Sequence, residues 1–499
     1  MKTRQNLEDG FNMNDGFRSN RKKGTSAISD YAQDKVFDQI GTIFSQIQGR
    51  ISHEALNRAL AIAQKLDRAK DYCHEIEALK KAIDSNHPYL QFFDLLKKRN
   101  LQCRKKLIRN FLINAVFHGN KKRKDFSFTH NTPRPFFFVI SPSMKCNLHC
   151  VGCYAGKYQK DEGLSYHVVD RILNDAKTMG IYFITVSGGE PFYREDILDL
   201  FADHDDIYFQ VFTNGTLIDA EMAERISRIG NIAPVISCEG FEGETDHRRG
   251  NGTFRKICLA MDNLREEGVI FGFSTVPASY NYATLLKDEY YEFLVDKGAL
   301  FGWLFQYIPI GSRPDQGLML TPEQRVTLHD RVKEVRNRLP LFIADFWNDG
   351  PYVDGCLAGA RSSRGYFHIN SNGDIEPCVF VHFAVDNIKD IYEKGGHLWD
   401  GLNSPFFREI RAGQPWNDNH QMPCMIIDNP HCLRNVVRKT RPYPTHEGAE
   451  SIITYPAFVR HLDQYSEKLK CLLNERASLC RRIETLHPEP LIGIQASSH

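Results

Sequence analysis

The spacing of apolar positions changes character twice along the chain. Val36, Phe37, Ile40, Ile43, Phe44 and Ile47 recur at helical intervals and stop at Gly49. Leu107, Ile108, Phe111, Leu112, Ala115 and Val116 repeat that pattern, so residues 26–130 read as a helical domain. The polar, charged residues 1–25 before it are expected to be disordered. From residue 136 short apolar runs alternate with helical faces. Strands are expected at Phe136–Pro142, Tyr182–Ser187, Tyr208–Thr213, Pro234–Cys238, Ile270–Val276 and Leu300–Ile310. Between them lie the helix face Val168, Val169, Ile172, Leu173 and Ala176 and helical stretches near 219–229, 254–267 and 286–296. Repeated strand–helix units with right-handed crossovers give an α/β domain built on a parallel sheet, over 131–340. Order alone leaves two forms open, an open doubly wound sheet or a barrel short of eight strands. Beyond 341 the alternation is lost. Residues 341–440, rich in Gly, Pro, Asn and Cys, read as a small irregular domain that needs a metal for stability. The tail 441–499 holds one strong helical stretch, 456–484.

Composition narrows the class. At 499 residues the chain has room for about three domains, and 42% hydrophobic with 25% charged residues is ordinary globular usage. A formal charge of +1 supplies no strong field for nucleic acid or a membrane surface, so neither is an expected partner. No apolar run approaches the roughly 20 residues of a membrane span. The start Met1-Lys2-Thr3-Arg4 leads into polar sequence without the apolar core of a secretory signal, and a cytoplasmic location is expected. In a reducing compartment the 13 cysteines are better read as metal ligands than as disulfides. The basic run Lys121–Lys124 reads as a solvated linker.

The chemistry concentrates in Cys146-x3-Cys150-x2-Cys153, a few residues beyond the first expected strand. Three thiolates can hold three irons of a 4Fe–4S cube and leave the fourth iron open to a substrate or cofactor. On spacing alone a structural zinc site with His149 as fourth ligand is the rival reading. The octet Cys146-Asn147-Leu148-His149-Cys150-Val151-Gly152-Cys153 resembles the cluster loop of the radical S-adenosylmethionine (SAM) superfamily. It departs in carrying Gly152 where that family often has an aromatic residue, with Tyr154 just after.

Further motifs fall at expected strand ends, where a parallel barrel carries its working residues. After the second strand, Ser187-Gly188-Gly189-Glu190-Pro191 resembles the family's Gly-Gly-Glu-Pro motif, which holds the SAM amino group. On that resemblance Gly188, Gly189 and Glu190 bind SAM, with Glu190 as a charged acceptor. Asn214, in Thr213-Asn214-Gly215, reads as a turn or a cofactor contact. Ser237 and Glu239 alternate to one side of the fourth strand, matching the family's ribose contact. The segment Glu244–Gly250 resembles the peptide-modifying branch, and an arginine there, Arg249 or its neighbour Arg248, can pair with the SAM carboxylate.

A second metal candidate lies further on. Cys356, Gly373-x4-Cys378, Cys424 and Cys432 resemble the auxiliary-cluster extension called SPASM, or its shorter twitch form. The later cysteines are fewer than in a full SPASM set, which implies one auxiliary 4Fe–4S cluster. Four thiolates would close it for electron transfer and three would leave it open.

Together these resemblances imply a partial (βα)6 TIM-like barrel with an N-terminal helical domain and a small cysteine-containing auxiliary domain. They imply reductive cleavage of SAM at a 4Fe–4S cluster to a 5′-deoxyadenosyl radical, which abstracts hydrogen from a substrate. The expected partners are an electron donor such as flavodoxin or ferredoxin and a peptide or protein side chain. A small-molecule dehydrogenase or mutase is the second enzymatic reading. A non-catalytic iron–sulfur carrier or regulator is the alternative of another class, although a carrier has no use for Gly188, Glu190 and Glu239 at strand ends.

Overall fold

Residues 89–361 and 363–486, with isolated helical positions between 57 and 84, are described by the computed structural model of the chain. The expected disordered start and the helix at 36–47 lie outside the described residues.

Short runs of β-branched and aromatic residues form β1 (Phe138–Ile140), β2 (Phe183–Val186), β3 (Tyr208–Thr213), β4 (Ile232–Ser237), β5 (Gly272–Thr275) and β6 (Phe301–Leu304). They hydrogen-bond in chain order and all run parallel. All six expected strands are present, most of them shorter than the apolar runs suggested. The sheet does not stop there. β7 (Phe342–Asp345) pairs in parallel with β6, while β8 (His368–Ile369) pairs in parallel with β1 and antiparallel with β9 (Ile375–Glu376). The parallel run therefore has eight strands, and residues after 341 extend it at both edges.

The helices follow from their end signals. Ser165 caps Tyr166–Met179 by accepting from the Val168 N–H, and Gly180 ends it at φ 84°. Its face of Val169, Ile172, Leu173 and Ala176 is buried against the sheet's outer side. Helices Ala220–Ile229, Thr253–Glu266 and Asp288–Asp296 occupy the expected crossovers, and a long helix, Pro456–Leu486, closes the described chain. No helix among the described residues is long and apolar enough to cross a membrane.

The helical segment before the barrel seals the amino ends of the strands. Leu101–Lys106 leads into Leu107–His118, a π-helix rather than the regular helix that the spacing suggests, and then into Gly119–His130. π-Helical turns are usually single and often mark functional sites. Side chains tie this segment to the loops that enter β2 and β3: Lys106 Nζ donates to the Asp205 carbonyl at 2.7 Å, Asn110 Nδ2 to that of Ile207 at 2.9 Å, and Arg123 to that of Gly180 at 2.9 Å. The other end of the sheet, where the carboxyl termini of the strands lie, is left to the loops that carry the chemistry.

Candidate active site

The loop after β1 puts Cys146, Cys150 and Cys153 on the wall of one cavity of about 1480 Å³. Burial pushes the thiols of Cys146 and Cys153 upward, and the thiol of Cys150 adds to both shifts. Metal binding must therefore displace protons from them. Among the described residues the cysteines form no disulfides, and no three Cys, His, Asp or Glu side chains close around a single point. A one-ion zinc site would need that convergence. A cube takes each thiolate on a different iron, and the adjoining cavity has room for it and for SAM. The donor set fits a 4Fe–4S cluster.

Gly152 shows why an aromatic residue is missing there. Its φ is +64°, and a Cβ on it would lie 2.5 Å from Cε2 of Tyr307. Tyr307, beyond β6, brings the ring to that place from another strand end, which nothing in the local sequence signals.

The Gly-Gly-Glu-Pro turn packs directly on the cysteine loop. The Gly189 N–H donates to Ser143 O at 3.1 Å and the Glu190 N–H to Lys145 O at 2.9 Å. A Cβ at Gly188 would sit 2.4 Å from Ser143 O, and one at Gly189 would sit 2.2 Å from Lys145 O. The glycines thus admit a second backbone as well as facing the cavity. Tyr154 ties the two loops again through its hydroxyl, 2.8 Å from Ser187 Oγ.

Glu190 does not reach the cavity. Its carboxylate accepts from Phe192 N at 3.1 Å, Thr213 Oγ1 at 2.7 Å and Asn214 N at 2.6 Å, joining the ends of β2 and β3. Burial raises its pKa to about 7, against these three bonds, which favour the charge. Asn214 continues the chain of contacts, with Nδ2 2.8 Å from Asn147 Oδ1 and 3.8 Å from Cys146 Sγ. Glu190→Gln is expected to weaken SAM binding about tenfold through loop displacement and to cost about 1–3 kcal/mol of stability. The amide would turn a donor toward one of three donors. Titration calorimetry with SAM and a denaturant melt check the two effects.

Ser237, at the end of β4, lines the cavity 3.5 Å from Ser274 Oγ. Glu239 departs from the expected ribose contact. The strand ends at Ser237, so alternation no longer governs residue 239, which is fully buried. One oxygen takes Arg248 Nη1 at 2.6 Å and Arg249 Nε at 2.9 Å, and the other takes Val276 N at 2.9 Å. Burial opposes its charge, yet the two guanidiniums hold its carboxyl below the usual range. Arg248 also clamps the cysteine loop, donating to Val151 O at 3.2 Å while the Val151 N–H donates to Arg248 O at 2.8 Å. Arg249 has only Glu239 as a partner in these contacts and lines the cavity. Arg248 lines the cavity as well, so both guanidiniums border the space where a ligand carboxylate would lie.

The later cysteines divide. Cys356, Cys378 and Cys424 line one small pocket with Trp347, Tyr366 and Phe380. Tyr366 OH lies 3.0 Å from Cys378 Sγ, which also accepts from Phe380 N at 3.5 Å, and Cys424 Sγ accepts from Ile426 N at 3.3 Å. The pocket's volume is about 30 Å³, room for about one or two waters, so a cube there requires the walls to part. Cys432 is not on this pocket. It lies on the helix Pro430–Thr440 with His431 Nε2 at 3.3 Å. Missed by sequence reasoning is the carboxylate that joins the regions: Glu376, two residues before Cys378, accepts from Tyr158 OH at 2.6 Å and pairs with His368 at 2.6 Å. Tyr158 belongs to the loop that follows Cys153.

A parallel sheet with three free thiols on its cavity wall, beside a glycine turn and a buried carboxylate–arginine cluster, offers the donors and the space for a metal cluster. Comparison places it further. Residues 140–287 match the Radical SAM superfamily. The chain is 30% identical over 301 residues to the mycofactocin maturase MftC of Mycobacterium tuberculosis, covering 58% of this chain and 75% of that protein. It is 24% identical over 316 residues to the AdoMet-dependent heme synthase of Methanosarcina barkeri, covering 56% and 85%. Among solved structures it is similar to Streptococcus suis SuiB bound to S-adenosylmethionine, with 21% identity, 60% and 73% coverage and a TM-score of 0.49. The chain belongs to the radical SAM superfamily. It is an enzyme of that chemistry, in which SAM is cleaved reductively at a 4Fe–4S cluster and hydrogen is abstracted from a substrate.

Proposed function

We propose that Cys146, Cys150 and Cys153 hold the SAM-binding cluster, and that the substrate is an apolar side chain of a peptide or protein. Reductive cleavage of SAM is the chemistry the cluster supplies when bound. Gly188 and Gly189 border SAM, Ser237 faces its ribose, and Arg249 meets its carboxylate. Glu190, Asn214 and Glu239 position these groups through the loops they hold.

The observation that carries the substrate reading is an aromatic wall between the two cysteine sites. Tyr154 stands 5.8 Å from Phe380, Phe380 5.2 Å from Trp347, and Phe346 6.0 Å from Tyr366, centroid to centroid. Phe380 lines the main cavity and also the small cysteine pocket. Such a wall recognises an apolar group and offers few hydrogen bonds. The maturases among the sequence relatives favour a peptide, and the heme synthases favour a small molecule as the second reading. Extracts from cells grown on deuterated amino acids separate them. With a peptide substrate, deuterium enters 5′-deoxyadenosine and protease treatment of the extract abolishes the transfer. Transfer that survives protease favours the small molecule.

Cys356, Cys378 and Cys424 are the ligands we assign to an auxiliary cluster, with Cys432 outside the set. Anaerobically reconstituted protein is then expected to carry about eight irons per chain, and Cys378→Ala about half of that. Cys432→Ala keeps the full amount. Iron assay with protein quantitation checks both, and four irons in the wild type would remove the auxiliary cluster.

A further inference from the structure

A closed parallel barrel fills its lumen with side chains, whereas this sheet runs from β7 to β9 without closing. Here the cavity continues from the cysteine loop down the concave face to the helical segment, reaching Phe111 of the π-helix and Phe93 and Leu96 of the helix Tyr89–Lys97. At about 1480 Å³ it exceeds the roughly 300–1,000 Å³ that suits one drug-sized ligand, so SAM does not exhaust it.

Two side chains of β3 point to a second ligand below the SAM region. Tyr208 and Gln210 both line the cavity and are 4% and 5% exposed. The Tyr208 hydroxyl and Gln210 Nε2 are buried without a hydrogen-bond partner. Their surroundings are apolar: the Phe111 ring lies 6.1 Å from that of Tyr208 and 5.1 Å from that of Phe183, and Gln210 is in register with Thr185 and Ala233. A buried amide left unpaired in such a wall costs stability, and a Leu of nearly the same shape would serve a purely structural role better. Charge gives a third indication. Among the described residues lining the cavity there is no Asp or Glu, whereas Arg104 and Arg134 line it from the helical end, where Lys97 is already paired with Asp94 at 2.9 Å.

We propose that the lower lumen is a binding site for a long-chain anionic amphiphile, with its head among the basic residues of the helical segment. Its hydrocarbon body runs up the barrel, and an oxygen on that body accepts from Gln210 Nε2 and the Tyr208 hydroxyl. Burial keeps the Tyr208 phenol protonated, so it remains a donor. The site does not depend on what supplies hydrogen to the radical chemistry.

Sub-micellar 12-hydroxyoctadecanoate, octadecanoate and octadecanol test it on the full-length, cluster-reconstituted protein, by displacement of a fluorescent polyene fatty acid. The hydroxy acid is expected to bind saturably, one per chain and at least tenfold more tightly than octadecanoate, with octadecanol weaker again. Gln210→Leu and Tyr208→Phe are expected to reduce hydroxy-acid affinity about tenfold, to the level of octadecanoate, with SAM affinity unchanged. Ala233→Phe, which narrows the lumen beside Gln210, should abolish binding of all three. Absence of saturable binding would overturn the proposal. So would equal affinity of the hydroxy and plain acids, or Gln210→Leu and Tyr208→Phe variants that bind the hydroxy acid like the wild type. Loss of SAM cleavage with amphiphile binding intact would count against the radical reading and leave this site standing.

Discussion

Protein in which Cys146, Cys150 and Cys153 are together replaced by Ala is expected to form no 5′-deoxyadenosine from SAM and to lose the barrel cluster entirely. Among the described residues the three thiols are the only cysteines on the cavity wall, and each would hold a different iron. His149 lines the same cavity, but a single imidazole cannot take the place of three thiolates. The fold is expected to persist, because these cysteines are partly exposed and lie in the loop outside the strands. Far-ultraviolet circular dichroism, iron analysis and chromatography of the products separate loss of the cluster from loss of the fold. Product formation by the triple variant would show that the electron reaches SAM from elsewhere.

Glu239→Ala is expected to have the largest effect on stability of any single change at the site. It removes the one carboxylate between Arg248 and Arg249, whose side chains are 9% and 10% exposed. Breaking a buried ion pair from one side costs about 3–5 kcal/mol, because the partner charge is left without compensation. Two guanidiniums are stranded here, and the Val276 N–H loses its acceptor. SAM affinity should fall by more than tenfold as Arg249 moves, and the cluster should become labile, because Arg248 also holds the backbone of Val151. Denaturant unfolding with SAM titration measures both. A change in stability below about 1 kcal/mol would mean that water replaces the carboxylate, and that the cluster of charges is open to solvent.

The barrel was legible because its strands are buried on both faces and read as short apolar runs between helical faces. β8 and β9 were not, since two residues each carry no period. β7 was missed for another reason: Phe342–Asp345 begins an irregular stretch, and only its pairing with β6 makes it a strand. At the site, spacing singled out the three cysteines and the glycine turn as candidates, both of which are local features, and the structure places them on one cavity wall. It misjudged Glu239, because alternation is a property of a strand and the strand ends at Ser237. It grouped Cys432 with Cys356, Cys378 and Cys424 because distance along the chain says nothing about the helix that carries Cys432 away from their pocket. Glu376, which joins the cysteine loop through Tyr158, gave no sequence signal, since its partner lies 218 residues away.

The most direct measurement is the electron paramagnetic resonance spectrum of the reduced Cys356→Ala, Cys378→Ala, Cys424→Ala protein, titrated with SAM. With the later cysteines gone, only the barrel loop can hold a cluster, at about four irons per chain. If Cys146, Cys150 and Cys153 leave one iron open to SAM, the signal shifts saturably as SAM is added. A spectrum that stays unchanged at saturating SAM, in protein that retains those irons, would contradict the assignment.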